Sequence, residues 1–188
     1  MFAALLAAPA WAAKPGPCVQ PGDHQEFPQL LAPAFTRDKT TDYESDSPGE
    51  GCGVRYSHAG GMWADVYVFS GGLGPLKAVE RDPQLLERFQ SDINGIAASW
   101  KQAYQAKLMD VNAQYEMRGR ERKFEVMSVW AGIERPEKPP LRTHMLMWVA
   151  QGVIWKLRVT FPESDRQIDD PAVQAFGDAL VDLSRETP

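Results

Sequence analysis

Cysteine and histidine are scarce in this chain: Cys18 and Cys52, then His24, His58 and His144, among 188 residues. The histidines never fall at the H-x-x-x-H or H-E-x-x-H spacing of a zinc site, so a satisfied core or surface histidine is the favoured reading of each. Positive charge is short too. The formal net charge is -5 and the pI about 5.2, against the basic stripe that nucleic acid demands. The one dense basic cluster, RGRERK from Arg118 to Lys123, reads as a solvated hairpin tip. No run reaches the roughly 20 apolar residues that a membrane span needs.

Catalytic and phosphate-binding motifs are missing as well. There is no G-x-S-x-G elbow and no G-x-x-x-x-G-K-[ST] loop. The glycine-rich segment SGGLGPLK, after a strand and before a helix, puts Lys77 where a dinucleotide loop needs its third glycine. It reads as a plain strand-to-helix connection. Carboxylates such as Asp42, Glu44, Asp46 and Asp65 are plentiful, but nothing in their spacing pairs two for acid–base work. No cofactor, metal site or catalytic residue is expected.

What is present begins with MFAALLAAPAWA, residues 1–12, apolar and ending in the small-x-small pattern Ala10-Trp11-Ala12. This is the pattern of a secretory signal, with a mature start at Ala13 and a periplasmic or secreted product. No Lys or Arg follows Met1, which leaves an upstream start open. Pro15-Gly16-Pro17 before Cys18 does not resemble a lipoprotein box. In an oxidising compartment two cysteines suggest a Cys18–Cys52 disulfide, and two thiols are the alternative. Closing a loop of about 34 residues would stabilise the fold by roughly 3–4 kcal/mol.

Residues 13–38 are Pro- and Gly-rich at their start and read as an irregular tail, leaving 39–188 as a single domain. Strands are expected over KTTDYES (39–45), GVRYSH (53–58) and WADVYVFS (63–70). The period then becomes helical. Asp82 is a good N-cap, Pro83 suits the first turn, and Leu86, Phe89, Ile93, Ile96, Trp100 and Tyr104 draw one stripe to about residue 107. KFEVMSVWAGI (123–133) is the next strand, with NAQYEM as a possible partner across Gly119, and ERPEKPP is a connector. LRTHMLMWVA and VIWKLRVTF then form a hairpin about Gln151-Gly152. Asp170 and Pro171 open a last helix with Val173, Phe176, Leu180 and Leu183 as its stripe. The expected class is α+β: an antiparallel β-sheet of about six strands flanked by two long amphipathic helices, in the order β-β-β-α, β-β-β-α.

If residues 150 and 153 pair across that turn, Leu146, Trp148, Trp155, Leu157 and His144 share a core face. The opposite face mixes Met145 and Met147 with Lys156 and Arg158. Adaptable methionines beside two cations make those four the candidate binding residues, for an acidic partner or an amphiphile. The competing reading is a helix over the methionines, with the basic stems snorkelling past it.

The segments FPQLLAPAFTR, GVRYSH, WADVYVFSGG and WKLRVTFPES, in this order of elements, resemble the PsbP-like α/β/α family. The resemblance implies a binding or scaffolding module and supplies no active-site residues. The expected role is therefore an exported, monomeric, non-catalytic binding module of the cell envelope with a protein partner. The alternative is a carrier of a small amphiphile, with a pocket near Trp100 and Trp148. A hydrolase assembled from separated residues ranks last.

Overall fold

Seven strands and two helices of apolar helical period form among the residues described by the structure, a computed structural model: 27–32, 34–73, 75–77, 82–120, 123–163 and 171–185. In chain order these are β1 (Phe35–Asp42), β2 (Cys52–His58), β3 (Trp63–Phe69), α1 (Pro83–Tyr104), β4 (Lys107–Arg118), β5 (Phe124–Arg135), β6 (Lys138–Ala150), β7 (Val153–Pro162) and α2 (Pro171–Leu183). One sheet runs β1-β2-β3-β7-β6-β5-β4, every pair antiparallel. Two meanders thus meet where β7 returns to lie beside β3.

The expectation of six strands between two long helices is overturned. The sheet has seven strands, strand outweighs helix about two to one among the described residues, and the helices are unequal, with 22 residues in α1 and 13 in α2. The added strand is β4, whose mostly exposed side chains give an edge strand little alternation to read. A bulge at Asp110 and Val111 breaks its period further. The first strand starts at Phe35 and ends at Asp42, ahead of its expected bounds. Part of the supposed tail is core: Phe27 and Phe35 are fully buried, and the Tyr56 hydroxyl donates to the Pro28 carbonyl at 2.9 Å. ERPEKPP is a tight turn, with Lys138, Pro139 and Pro140 already in β6.

Other expectations meet their residues. Asp82 accepts the Gln84 N–H at 2.8 Å and Pro83 opens α1, which stops at Gln105 in the left-handed region. The apolar stripe holds through Phe89, Ile93, Ile96 and Trp100 and differs at its ends. Leu85, Phe89, Ile93 and Trp100 are buried, while Leu86 and Tyr104 are half exposed, because steps of four through 89 and 93 select Leu85 over its neighbour. Gln151 and Gly152, at φ 53° and 77°, turn β6 into β7 in the expected register, Ala150 to Val153 and Trp148 to Trp155.

Helix α1 lies on the face of Met127, Met145, Met147 and Ile154; α2 lies on the opposite face with Tyr56, Leu146, Trp148 and Trp155. Helix α1 starts beyond β3 and ends before edge strand β4, so its cover runs over β7, β6 and β5. On that face the half formed by β1, β2 and most of β3 stays open. Among the described residues no helix is long and apolar enough to cross a membrane.

The loop from Tyr43 to Gly51 is pinned onto this open half. Glu44 accepts the backbone N–H groups of Gly49 and Gly51, each at 2.9 Å, and Gly71 donates to the Gly49 carbonyl. Gly51 has φ +58°, and a Cβ there would lie 1.9 Å from the Val68 carbonyl oxygen. Gly51→Ala should therefore cost at least ~3 kcal/mol in urea denaturation, from left-handed strain plus a forced backbone shift. Gly72→Ala, also at positive φ but with nothing within 4 Å, should cost about 1–2 kcal/mol.

Candidate functional site

Of the four residues expected to bind, Met145 and Met147 are buried, while Lys156 and Arg158 are partly buried and already paired. Met145 and Met147 are 1% and 0% exposed, packed under Leu85, Phe89 and Ile93 of α1. The Lys156 ammonium donates to Asp92 of α1 at 2.8 Å and lies over the rings of Tyr67 and Phe69. Burial pulls its pKa below the usual lysine value, and Asp92 opposes the shift. Arg158 donates to Asp65 at 2.7 Å. Trp100 and Trp148, the expected pocket pair, lie in clusters on opposite faces of the sheet. Cys52 is buried at the start of β2, and Cys18, like residues 1–12, His24 and Asp170, lies outside the described residues.

What the fold leaves open is the ground beside Lys156. Tyr43, at the start of the pinned loop, lies across β2 with its ring near Tyr67 of β3, centroids 6.4 Å apart. Gly53 makes this possible, since a Cβ there would meet the Tyr43 ring at 2.9 Å and the Tyr67 ring at 3.3 Å. A glycine in mid-strand opposite an aromatic residue is here a seat for a second aromatic. On one side of the ring pair a cleft of about 230 Å³ is walled by Tyr43, Tyr67 and Phe69, with Asp46, Glu50 and Lys156 also lining it. On the other side a cavity of about 150 Å³ reaches Lys39, Arg55 and Asp65.

The charges are arranged in two sets. Asp65, 4% exposed, is held between Arg55 and Arg158, each at 2.7 Å. The hydrogen bond to Asp65 raises the Arg55 pKa, keeping that cation fixed. Asp92 accepts Lys156 and also faces Arg88, whose guanidinium reaches Glu50 at 3.6 Å. Burial raises the Tyr67 phenol, which therefore stays neutral. Sequence reasoning had noted Asp46 and Asp65 only as loose carboxylates and passed over Tyr43, Tyr67 and Glu50. Gly53 within a strand was the available signal.

A second polar group lies on the α2 face, at edge strand β4. Glu116 Oε1 accepts from the Ser128 hydroxyl, the Trp130 indole at 3.1 Å and His144 Nε2 at 3.2 Å, while Oε2 pairs with Arg118. Arg118, expected in a solvated tip, is 6% exposed and also donates to Gln174 of α2. The His144 ring stacks on Trp130 at 3.7 Å. Ser128 Oγ lies 2.9 Å from His144 Nε2, which invites comparison with a nucleophile and its base. The bonding differs from that pattern. An ionised carboxylate only accepts, so Glu116 takes the serine hydrogen and favours the His144 tautomer with its hydrogen on Nε2, which turns no lone pair to the serine. Among the described residues no three His, Cys, Asp or Glu side chains form a metal-binding group.

The chain matches no protein-family model and no curated protein.

The buried network sets an acid limit on stability. Burial holds the His144 imidazole below its ordinary 6.5, despite the bond to Glu116. Burial alone would raise the Glu116 carboxyl, but hydrogen bonds from His144 and Ser128 outweigh it and hold it well below 4.5. Both groups bind protons more readily when unfolded, so their stabilisation is complete above pH 6.5. It should decline as pH falls below 6.5 for His144 and further below 4.5 for Glu116. Urea midpoints against pH should show both declines, and Glu116→Gln should shrink the second one.

Proposed function

We propose that this protein is a non-catalytic, monomeric binding module, exported from the cytoplasm, that carries a small amphiphilic ligand beside Tyr43 and Tyr67. The observation that carries the reading is the cleft on the open half of the sheet: apolar ring walls with a few placed charges, the usual chemistry of a ligand site. Its floor is stiffened by ion pairs on Asp65 and Asp92, so little ordering remains to be done on binding. Docking of an envelope protein through Met145, Met147, Lys156 and Arg158 carries less, because α1, Asp92 and Asp65 already engage them. A binding role is also what the PsbP-like resemblance implies. Export rests on MFAALLAAPAWA and on an even cysteine count, with Cys18–Cys52 as the proposed bridge.

Thermal denaturation with fatty acids, lysophospholipids, aromatic acids and short peptides tests the cleft. A ligand should raise Tm in proportion to the logarithm of its concentration, equivalent to about 2.7 kcal/mol at a hundredfold excess over Kd. Tyr43→Ala should remove that shift while keeping its own Tm within about 2 °C, as expected for a partly exposed side chain. A panel without any shift would retire the carrier reading. The export reading is checked by the intact mass of protein recovered from its own cells. It should start at Ala13 and fall two hydrogens short of the reduced mass; a mass retaining residues 1–12 and both thiols would contradict it.

A further inference from the structure

The two cavities flanking Tyr43 and Tyr67 carry opposite charge. In the Arg55 cavity one carboxylate, Asp65, is shared by Arg55 and Arg158, and Lys39 adds a third cation. Lys39 is exposed and has no ion pair among the described residues. Arg55 uses Nε on Asp65 and leaves its terminal N–H groups available to a ligand. The cleft on the other side has the reverse balance. Lys156 lines it with Glu50 and Asp46, Asp92 and Arg88 pair with Lys156 and Glu50 from outside it, and the Asp46 side chain has no partner among the described residues. A cationic end and an anionic end are thus joined by two tyrosines.

The distance between the ends follows from the strands. Arg55 sits opposite Asp65 and Gly53 opposite Tyr67, and Phe69 marks the acidic end. Four residues along β3 separate Asp65 from Phe69, about 13 Å at strand rise. A free amino acid is too short to place its ammonium at one end and its carboxylate at the other. An extended chain of three or four residues has that length, at about 3.3–3.6 Å per residue.

We propose that the ligand of this cleft is a short zwitterionic peptide of three or four residues, its ammonium at Asp46 and Glu50, its carboxylate at Arg55 and Lys39. An apolar or aromatic side chain of the peptide packs on the Tyr43–Tyr67 pair, which Gly53 lets lie close to β2. This inference rests on the cleft being the binding site and narrows the amphiphile to one class. The guanidinium of Arg55 supplies directional hydrogen bonds to the carboxylate, and the acidic rim repels the wrong end of a reversed peptide.

Calorimetry on the full chain with the tetrapeptide Ala-Phe-Ala-Ala tests it. The peptide is compared with its N-acetylated form, its C-amidated form and the doubly blocked form. The free peptide should bind at least about tenfold more tightly than either singly blocked form. Lys39→Gln should weaken the free peptide and leave the C-amidated form unchanged; Asp46→Asn should weaken the free peptide and leave the N-acetylated form unchanged. Both positions are exposed, so the fold is not at stake. Equal binding of all four forms would overturn the inference. Binding of a lysophospholipid with no binding of any peptide would also overturn it, while leaving the carrier reading standing. Binding of neither would overturn both.

Discussion

One helix cannot cover a seven-stranded sheet. Six inter-strand gaps make the sheet roughly 29 Å wide, while a helix with its side chains is about 10–12 Å across. Among the described residues each face has a single helix, and each helix follows a path set by chain order. α1 leaves the end of β3 and travels toward β4, so β1, β2 and most of β3 are left behind on that face. The candidate site is what this geometry leaves open.

The uncovered ground is filled by polar groups that pair with one another, leaving Nε of Arg88, Arg118 and Arg158 without a hydrogen-bond partner among the described residues. On the α1 face Asp65 is clamped by two guanidiniums, and Lys156 reaches sideways to Asp92 at the helix margin. On the α2 face, near edge strand β4, Glu116 gathers donors from Ser128, Trp130, His144 and Arg118. Removing one member of such a group strands a buried charge, whereas exposed surface pairs contribute little. The two networks do different work. The Glu116 group is closed on itself and ties β4 to the sheet and to α2. The Asp65 group carries one cation too many and borders a cavity, which is why binding is placed there.

Strong periodicity was readable before the fold was known. The Gln151-Gly152 hairpin, its register, the Asp82 cap and the apolar stripe of α2 all follow from local chemistry that tertiary contacts do not override. Edge and margin residues were harder. β4 looked like a fragment because its side chains face water on an edge, and Leu85 yielded to Leu86 because adjacent leucines fit the same stripe at one step apart. Lys156 and Arg158 looked available because their partners, Asp92 and Asp65, come from elements distant in the chain. The Tyr43–Tyr67 pair was invisible for the same reason: it depends on a loop folding back over Gly53, and only the missing side chain at that position hinted at it.

The central claim is that recognition happens on the open half of the sheet beside α1. Amide chemical-shift mapping with whichever compound raises the melting temperature tests it directly. The account predicts perturbations gathered in residues 39–55 and 65–69, with α2 and the β4–β5 hairpin quiet. Shifts centred on α2, or on the Glu116 and His144 network, would contradict it and move the site to the other face.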